Sequence, residues 1–135
     1  MSFVLDASVT MAWLFNDESS KYTDGILQRV ESDTAWVPTL WLYEVANVLV
    51  TGESCHRFSE AQARRFTELL SSLPIQVKEP TKASLWGSVL DLSKEHRLTA
   101  YDAAYLDLAM REGIPLATQD KALRKAARRV GVELL

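Results

Sequence analysis

Cysteine is nearly absent. Cys55 stands alone among 135 residues, so no intramolecular disulfide can form and no sulfur cage for zinc exists. A reducing compartment is therefore expected, with the cytoplasm as the default. Histidine is scarce too: His56 and His96 have no ligand-like spacing and are expected at the surface. No apolar run reaches the ~18 residues of a membrane span, and the start MSFVLDASV lacks the basic segment and long apolar core of an export signal. A soluble chain without a membrane partner follows. With 5 Gly and 4 Pro against 47% hydrophobic and 24% charged residues, the composition excludes disordered and fibrous classes. Positive charge is not in excess either. At a formal net charge of -3, nucleic-acid binding by bulk attraction is not predicted, and such a partner would need a local basic face. The length predicts one domain over residues 1–135.

What is present is an alternation of short apolar runs and helical patterns. Phe3, Val4 and Leu5 read as a strand buried on both faces and ending at Asp6. Ser8 suits the cap of the apolar helix that follows. Tyr22, Ile26, Leu27 and Val30 predict a second helix, and Ala35 to Val37 a strand stopped by Pro38. Leu40 to Val50 is a helix apolar on nearly every face except at Glu44 and Asn47, with Gly52 placed to end it. Ser59 and Gln62 form a capping box for the next helix. Ile75 to Val77 is a strand, Pro80 and Thr81 open a helix ending near His96, and Thr99 caps another that Gly113 stops. Leu116 to Thr118 is a buried strand leading to Asp120. A basic-faced helix from Lys121 to Arg129 and an edge strand from Val132 to Leu135 complete the chain. This alternation predicts an α/β fold: a parallel sheet covered on both faces.

Four carboxylates occupy comparable settings. Ligands of open parallel sheets bind beyond the carboxyl ends of strands, where Asp6 and Asp120 both stand. Asp102 opens a helix that would return the chain to that same edge, and Glu44 is an acid on an apolar helix with no cationic neighbour in sequence. Carboxylates gathered in one cleft raise one another's pKa unless a cation joins them. Oxygen donors without His or Cys suit Mg²⁺ or Mn²⁺, and such a site can activate water toward a phosphodiester. Asp107, five residues after Asp102, lies about 140° away around the helix and is left outside the set.

VLDAS at the N-terminus, EVANVL around Glu44, YDAAYLDLA around Asp102 and LATQD with Thr118 and Asp120 together resemble the PIN-domain family, and more narrowly its VapC-type toxin ribonucleases. The resemblance spans essentially the full chain, with all four acids in order. It implies a three-layer α/β/α sandwich with a short central parallel sheet. It also implies Mg²⁺- or Mn²⁺-dependent endoribonuclease activity on RNA, homodimerisation and inhibition by a cognate small antitoxin. By motif, Asp6, Glu44, Asp102 and Asp120 would be the catalytic and metal-binding acids, with Thr118 a hydrogen-bonding support. Ser8 and Asn47 are further candidates for support, Asn47 because it shares a helix face with Glu44.

Plainer roles exist for each residue. Asp6, Asp102, Asp120 and Ser8 suit helix caps, Asn47 a packing contact, Thr118 an ordinary strand position and the Lys121 to Arg129 cations a solvated face. Trp13, Trp36, Trp41 and Trp86 sit in apolar contexts and are expected in the core or an interface. Two other functions share parts of the pattern. A PIN-like module that binds RNA or protein without cutting would not require all four acids. A receiver-type signalling domain needs an Asp after its central strand, where Ala35 to Val37 is followed by Pro38 and Thr39.

Overall fold

Phe3, Val4 and Leu5 are fully buried because β1 (Ser2–Leu5) has a strand on each side and helices over both faces. The computed structural model describes residues 1–135. After β1 come α1 (Ala7–Ala12), a single 3₁₀ turn, α2 (Lys21–Ser32), β2 (Thr34–Pro38), α3 (Leu40–Ser54), α4 (Glu60–Ser72) and β3 (Ile75–Lys78). Then α5 (Lys82–Ser84), a π turn at Leu85–Val89 and α6 (Leu90–His96) run on without a break, followed by α7 (Ala100–Glu112), β4 (Leu116–Ala117) and α8 (Lys121–Val130). No helix is long and apolar enough to cross a membrane.

All four strands are parallel in the order β3-β2-β1-β4. The chain steps outward from β1 to β2 to β3, then crosses back to place β4 on the free side of β1. Right-handed crossovers put the helices of the outward steps on one face and those of the return on the other. Packing agrees: α1 touches α2 and α3, and α3 touches α4, while α7 packs on α6, α8, β1 and β2. The result is a three-layer α/β sandwich.

Local chemistry explains most element ends. Ser59 and Gln62 close the expected capping box, Oγ accepting from Gln62 N at 3.1 Å and Ser59 N donating to Oε1 at 2.8 Å. Thr99 accepts from Asp102 N, and Gly113 takes φ 65 to stop α7. Three boundaries differ from the sequence reading. Ser8 lies inside α1, because Asp6 holds the N-cap position with extended backbone and no side-chain cap. Gly52 does not end α3, which runs on to Ser54. That glycine makes room for a ring, since a Cβ there would lie 2.2 Å from Cε1 of Phe58, and His56 supplies the left-handed residue beyond the helix at φ 57. The C-terminal edge strand reduces to one bridge, Leu134 to Leu116, because β4 offers two residues to pair with.

Asp107 is buried and ties α7 to the preceding helix. It accepts from Ser84 Oγ at 2.8 Å, Ser88 Oγ at 2.6 Å and Arg111 Nε at 2.8 Å. Ser84 immediately precedes the π turn and Ser88 lies within it, and both hydroxyls reach one carboxylate. Asp107→Ala should strand these donors and lower unfolding free energy by about 2–3 kcal/mol, as measured by the shift of the urea midpoint at unchanged slope.

Candidate active site

A parallel sheet whose chain leaves its first strand in one direction and later returns on the other side has a crevice at the carboxyl ends of those strands. Here the crevice lies between β1 and β4. The two strands stay bonded to their last residues, with Asp6 N donating to Ala117 O at 3.0 Å. Asp6 follows β1 directly, while Thr118 and Asp120 follow β4. Glu44 enters from α3 and Asp102 from the first turn of α7. All four acids, with Ala7, Ser8, Met11 and Val48, line one cavity of about 270 Å³.

Asp6 is the anchored member. Its carboxylate is buried, and Oδ2 accepts from Ser8 Oγ at 2.7 Å and Thr118 Oγ1 at 2.6 Å. Neither hydroxyl reaches Oδ1. Burial pushes its pKa upward, the two hydroxyls pull it back, and the Asp120 charge adds to the rise. Thr118 is fully buried and also accepts from Asp120 N at 3.1 Å, so one hydroxyl sets two acids relative to each other. Its carbonyl accepts from Arg124 Nη1 at 2.9 Å and from Tyr22 Oη at 3.4 Å. Gln119 continues this stitching, its Nε2 donating to Ser8 O at 3.1 Å.

Asp120 caps α8 through Oδ1, which accepts from Leu123 N at 2.8 Å. Its cap role and its place on the cavity wall coexist. Asp102 is not a cap, because Thr99 holds that position. Half-burial first, then the charges of Asp6 and Asp120, push its pKa up to about 6, against the pull of the Thr99 hydroxyl. Glu44 is also half-buried. Desolvation raises its pKa, and the Asp6 and Asp102 charges add to that, while Tyr105 opposes it. Tyr105 Oη donates to Glu44 Oε1 at 2.6 Å from a fully buried ring, and the phenol is in turn pushed far above its ordinary range by burial and by that carboxylate.

The structure thus brings Asp6, Ser8, Glu44, Asp102, Thr118 and Asp120 together. Asn47 is apart: it is exposed and lines a neighbouring cavity with Met11, Phe15 and Val48. As they stand, no three of the acids converge closely enough to enclose an ion. Mutual repulsion favours such spacing, and a donor set of four carboxylates around one small cavity, three with raised pKa values, suits a hard divalent cation. Sequence reading missed Tyr105, Tyr22, Arg124 and Gln119. Tyr105 carried a signal, since it follows Asp102 by one helical turn and a buried tyrosine hydroxyl requires a partner.

Four similarities bear on kinship. The PIN domain family model matches residues 3–129. Ribonuclease VapC3 of Pyrobaculum aerophilum is 32% identical over 125 residues, covering 91% of this chain and 92% of its own. The crystal structure of PAE2754 from the same organism superposes with TM-score 0.73 at 27% identity over 99% of this chain and 83% of that one. VapBC2 from Rickettsia felis, bound to a DNA fragment of its promoter, gives TM-score 0.73 at 13% identity over 100% and 98%, a likeness of fold. By sequence over nearly its whole length and by the architecture of its sheet, the chain belongs to the PIN-domain family, as a relative of the VapC ribonucleases.

Proposed function

We propose that residues 1–135 form one PIN-like domain acting as a Mg²⁺- or Mn²⁺-dependent endoribonuclease, the toxin of a toxin–antitoxin pair. The observation that carries this reading is the convergence of Asp6, Glu44, Asp102 and Asp120 on one cavity in a chain 32% identical to a VapC ribonuclease. When bound among these acids, one or two divalent ions would supply a water nucleophile at neutral pH and stabilise charge on the scissile phosphate.

The chain's own residues prepare that chemistry. Ser8 and Thr118 hold Asp6 by Oδ2, which orients the carboxylate and leaves Oδ1 beyond their reach. Tyr105 fixes one oxygen of Glu44. Asp120 is held at both backbone and side chain, through Thr118 and the first turn of α8. Repulsion among the four acids raises their affinity for a cation, whose binding would draw the carboxylates together and relieve that repulsion. A cognate small antitoxin and a homodimer belong to the same reading, supported by family membership and by the fold shared with VapBC2.

Asp6→Asn and Asp102→Asn should each reduce Mg²⁺-dependent cleavage of single-stranded RNA to background with the circular dichroism spectrum retained. Full cleavage by either variant, or by the wild type in excess EDTA, would reject the proposal. Retained fold with no calorimetric sign of Mg²⁺ or Mn²⁺ binding would favour a non-catalytic binding module instead.

A pH prediction follows from the same charges. The folded-state pKa of Asp102 lies near 6, against 3.8 for the ordinary group. The native state then holds more protons than the unfolded one between about pH 4 and 6, so this acid's contribution to stability falls as pH rises through that window. For a half-exposed carboxylate, solvent screening limits the effect to on the order of 1 kcal/mol. Asp102→Asn should accordingly raise the melting temperature of the metal-free protein at pH 7 by about 3 °C and flatten its dependence on pH. Millimolar Mg²⁺ should stabilise the wild type and leave the variant nearly unchanged.

A further inference from the structure

A second cavity, of about 440 Å³, lies between α8 and the end of α6 and shares no residue with the carboxylate cavity. Ala122, Lys125, Ala126 and Arg129 line it from one face of α8, and Glu95, His96 and Arg97 from the other side. Arg97, Lys125 and Arg129 enter no ion pair, and Glu95 is the one acid in the lining. With three cations to one carboxylate the lining is positive, cations that converge on a concavity repel one another, and an anion seated there relieves the repulsion. The two alanines keep one wall low, which leaves room for a polymer backbone to approach.

A second observation is independent of that charge. The His96 side chain is 6% exposed and its Nε2 stands 4.0 Å from the Glu95 carboxylate, yet neither ring nitrogen has a hydrogen-bond partner. Buried polar atoms almost always find partners, so an orphaned pair in a cavity wall marks the place of a missing ligand or water. Arg97 beside it holds a left-handed backbone at φ 54, a conformation uncommon for a residue with a side chain. Both walls also lead to the carboxylates. Arg97 stands two residues before Thr99, the cap of the helix bearing Asp102, and Lys125 and Arg129 lie about 7.5 and 13.5 Å along α8 from Asp120, at 1.5 Å per residue.

We infer that this cavity holds phosphodiester groups of the RNA strand flanking the bond cut at the carboxylates, with Arg97, Lys125 and Arg129 as phosphate donors and His96 as a hydrogen-bonding partner. The inference rests on the ribonuclease reading and adds the path of the substrate. Guanidinium forks suit phosphate oxygens, and a chain of net charge -3 needs such a local basic face to hold RNA at all.

The test uses Asp6→Asn as the parent, so that bound RNA stays intact, and a labelled single-stranded RNA oligonucleotide in fluorescence anisotropy. Lys125→Gln with Arg129→Gln, both exposed positions, should weaken binding about tenfold near 0.1 M salt and lower the slope of log K against log salt by about 1.4, two contacts at ~0.7 each. The melting temperature should stay the same. Unchanged affinity and slope would overturn the inference. So would weakened binding of the cognate antitoxin with RNA binding intact, which would make the cavity a protein-facing surface. Competition by micromolar inorganic phosphate would make it a site for free phosphate and overturn it equally. Failure of the wild type to cut RNA would instead reject the ribonuclease reading beneath it.

Discussion

Like charge held at close quarters is the constraint on which the rest of this structure depends. Four carboxylates around one small cavity would push apart any loosely built edge. The fold resists by placing two of them at the ends of adjacent strands bonded to their last residue, and the other two on helices packed against the sheet. Thr118 is the pivot of this arrangement. Its hydroxyl donates to Asp6 and accepts from the backbone of Asp120, so repulsion between the two acids works against a buried bond rather than against solvent.

The support extends outward in steps. Tyr22 and Arg124 hold the backbone of Thr118, Tyr105 holds Glu44, and Asp107 on the far side of α7 fastens the helix that presents Asp102. α7 therefore carries two acids with opposite tasks. Asp102 meets other carboxylates and is kept partly protonation-prone, whereas Asp107 meets hydroxyls and Arg111 and serves packing. Their angular separation on one helix is what allows both.

Much of this was legible in the sequence, and the reasons are physical. The strands are short, apolar and bounded by turn or cap residues, which gave β1, β2, β3 and the α/β class. The capping residues Ser59 and Thr99 and the stop at Gly113 act locally, so their meaning survives without tertiary knowledge. The meeting of Asp6, Glu44, Asp102 and Asp120 was legible through the rule for strand ends and the family resemblance. Asn47 misled because a shared helix face does not imply a shared cavity. Gly52 misled because its small size answers the Phe58 ring, a contact outside the helix. His96 was expected at the surface and Trp86 in the core or an interface. The structure buries the former's ring and leaves the latter 67% exposed, outside the core, since a polar or apolar label does not fix which way a helix faces. Tyr105, Tyr22 and Arg124 act through partners from 6 to 96 residues away, and no local pattern announces such bonds.

The single bridge from Leu134 to Leu116 has a further consequence. With Leu116 N bonded to Glu133 O and Leu135 N to Leu116 O, the chain end covers the outer margin of β4 and leaves no row of free amides there. The opposite margin, along β3, has no such cover, and Gln76 and Val77 are exposed. Lys78 does not cover it, its ammonium being folded back over the Trp36 ring of β2 at 3.9 Å. The sheet is thus covered beside β4 and open along β3, where an edge is free to accept another strand. Growth of the sheet, whether by a partner strand or by misassembly, is steered away from the crevice.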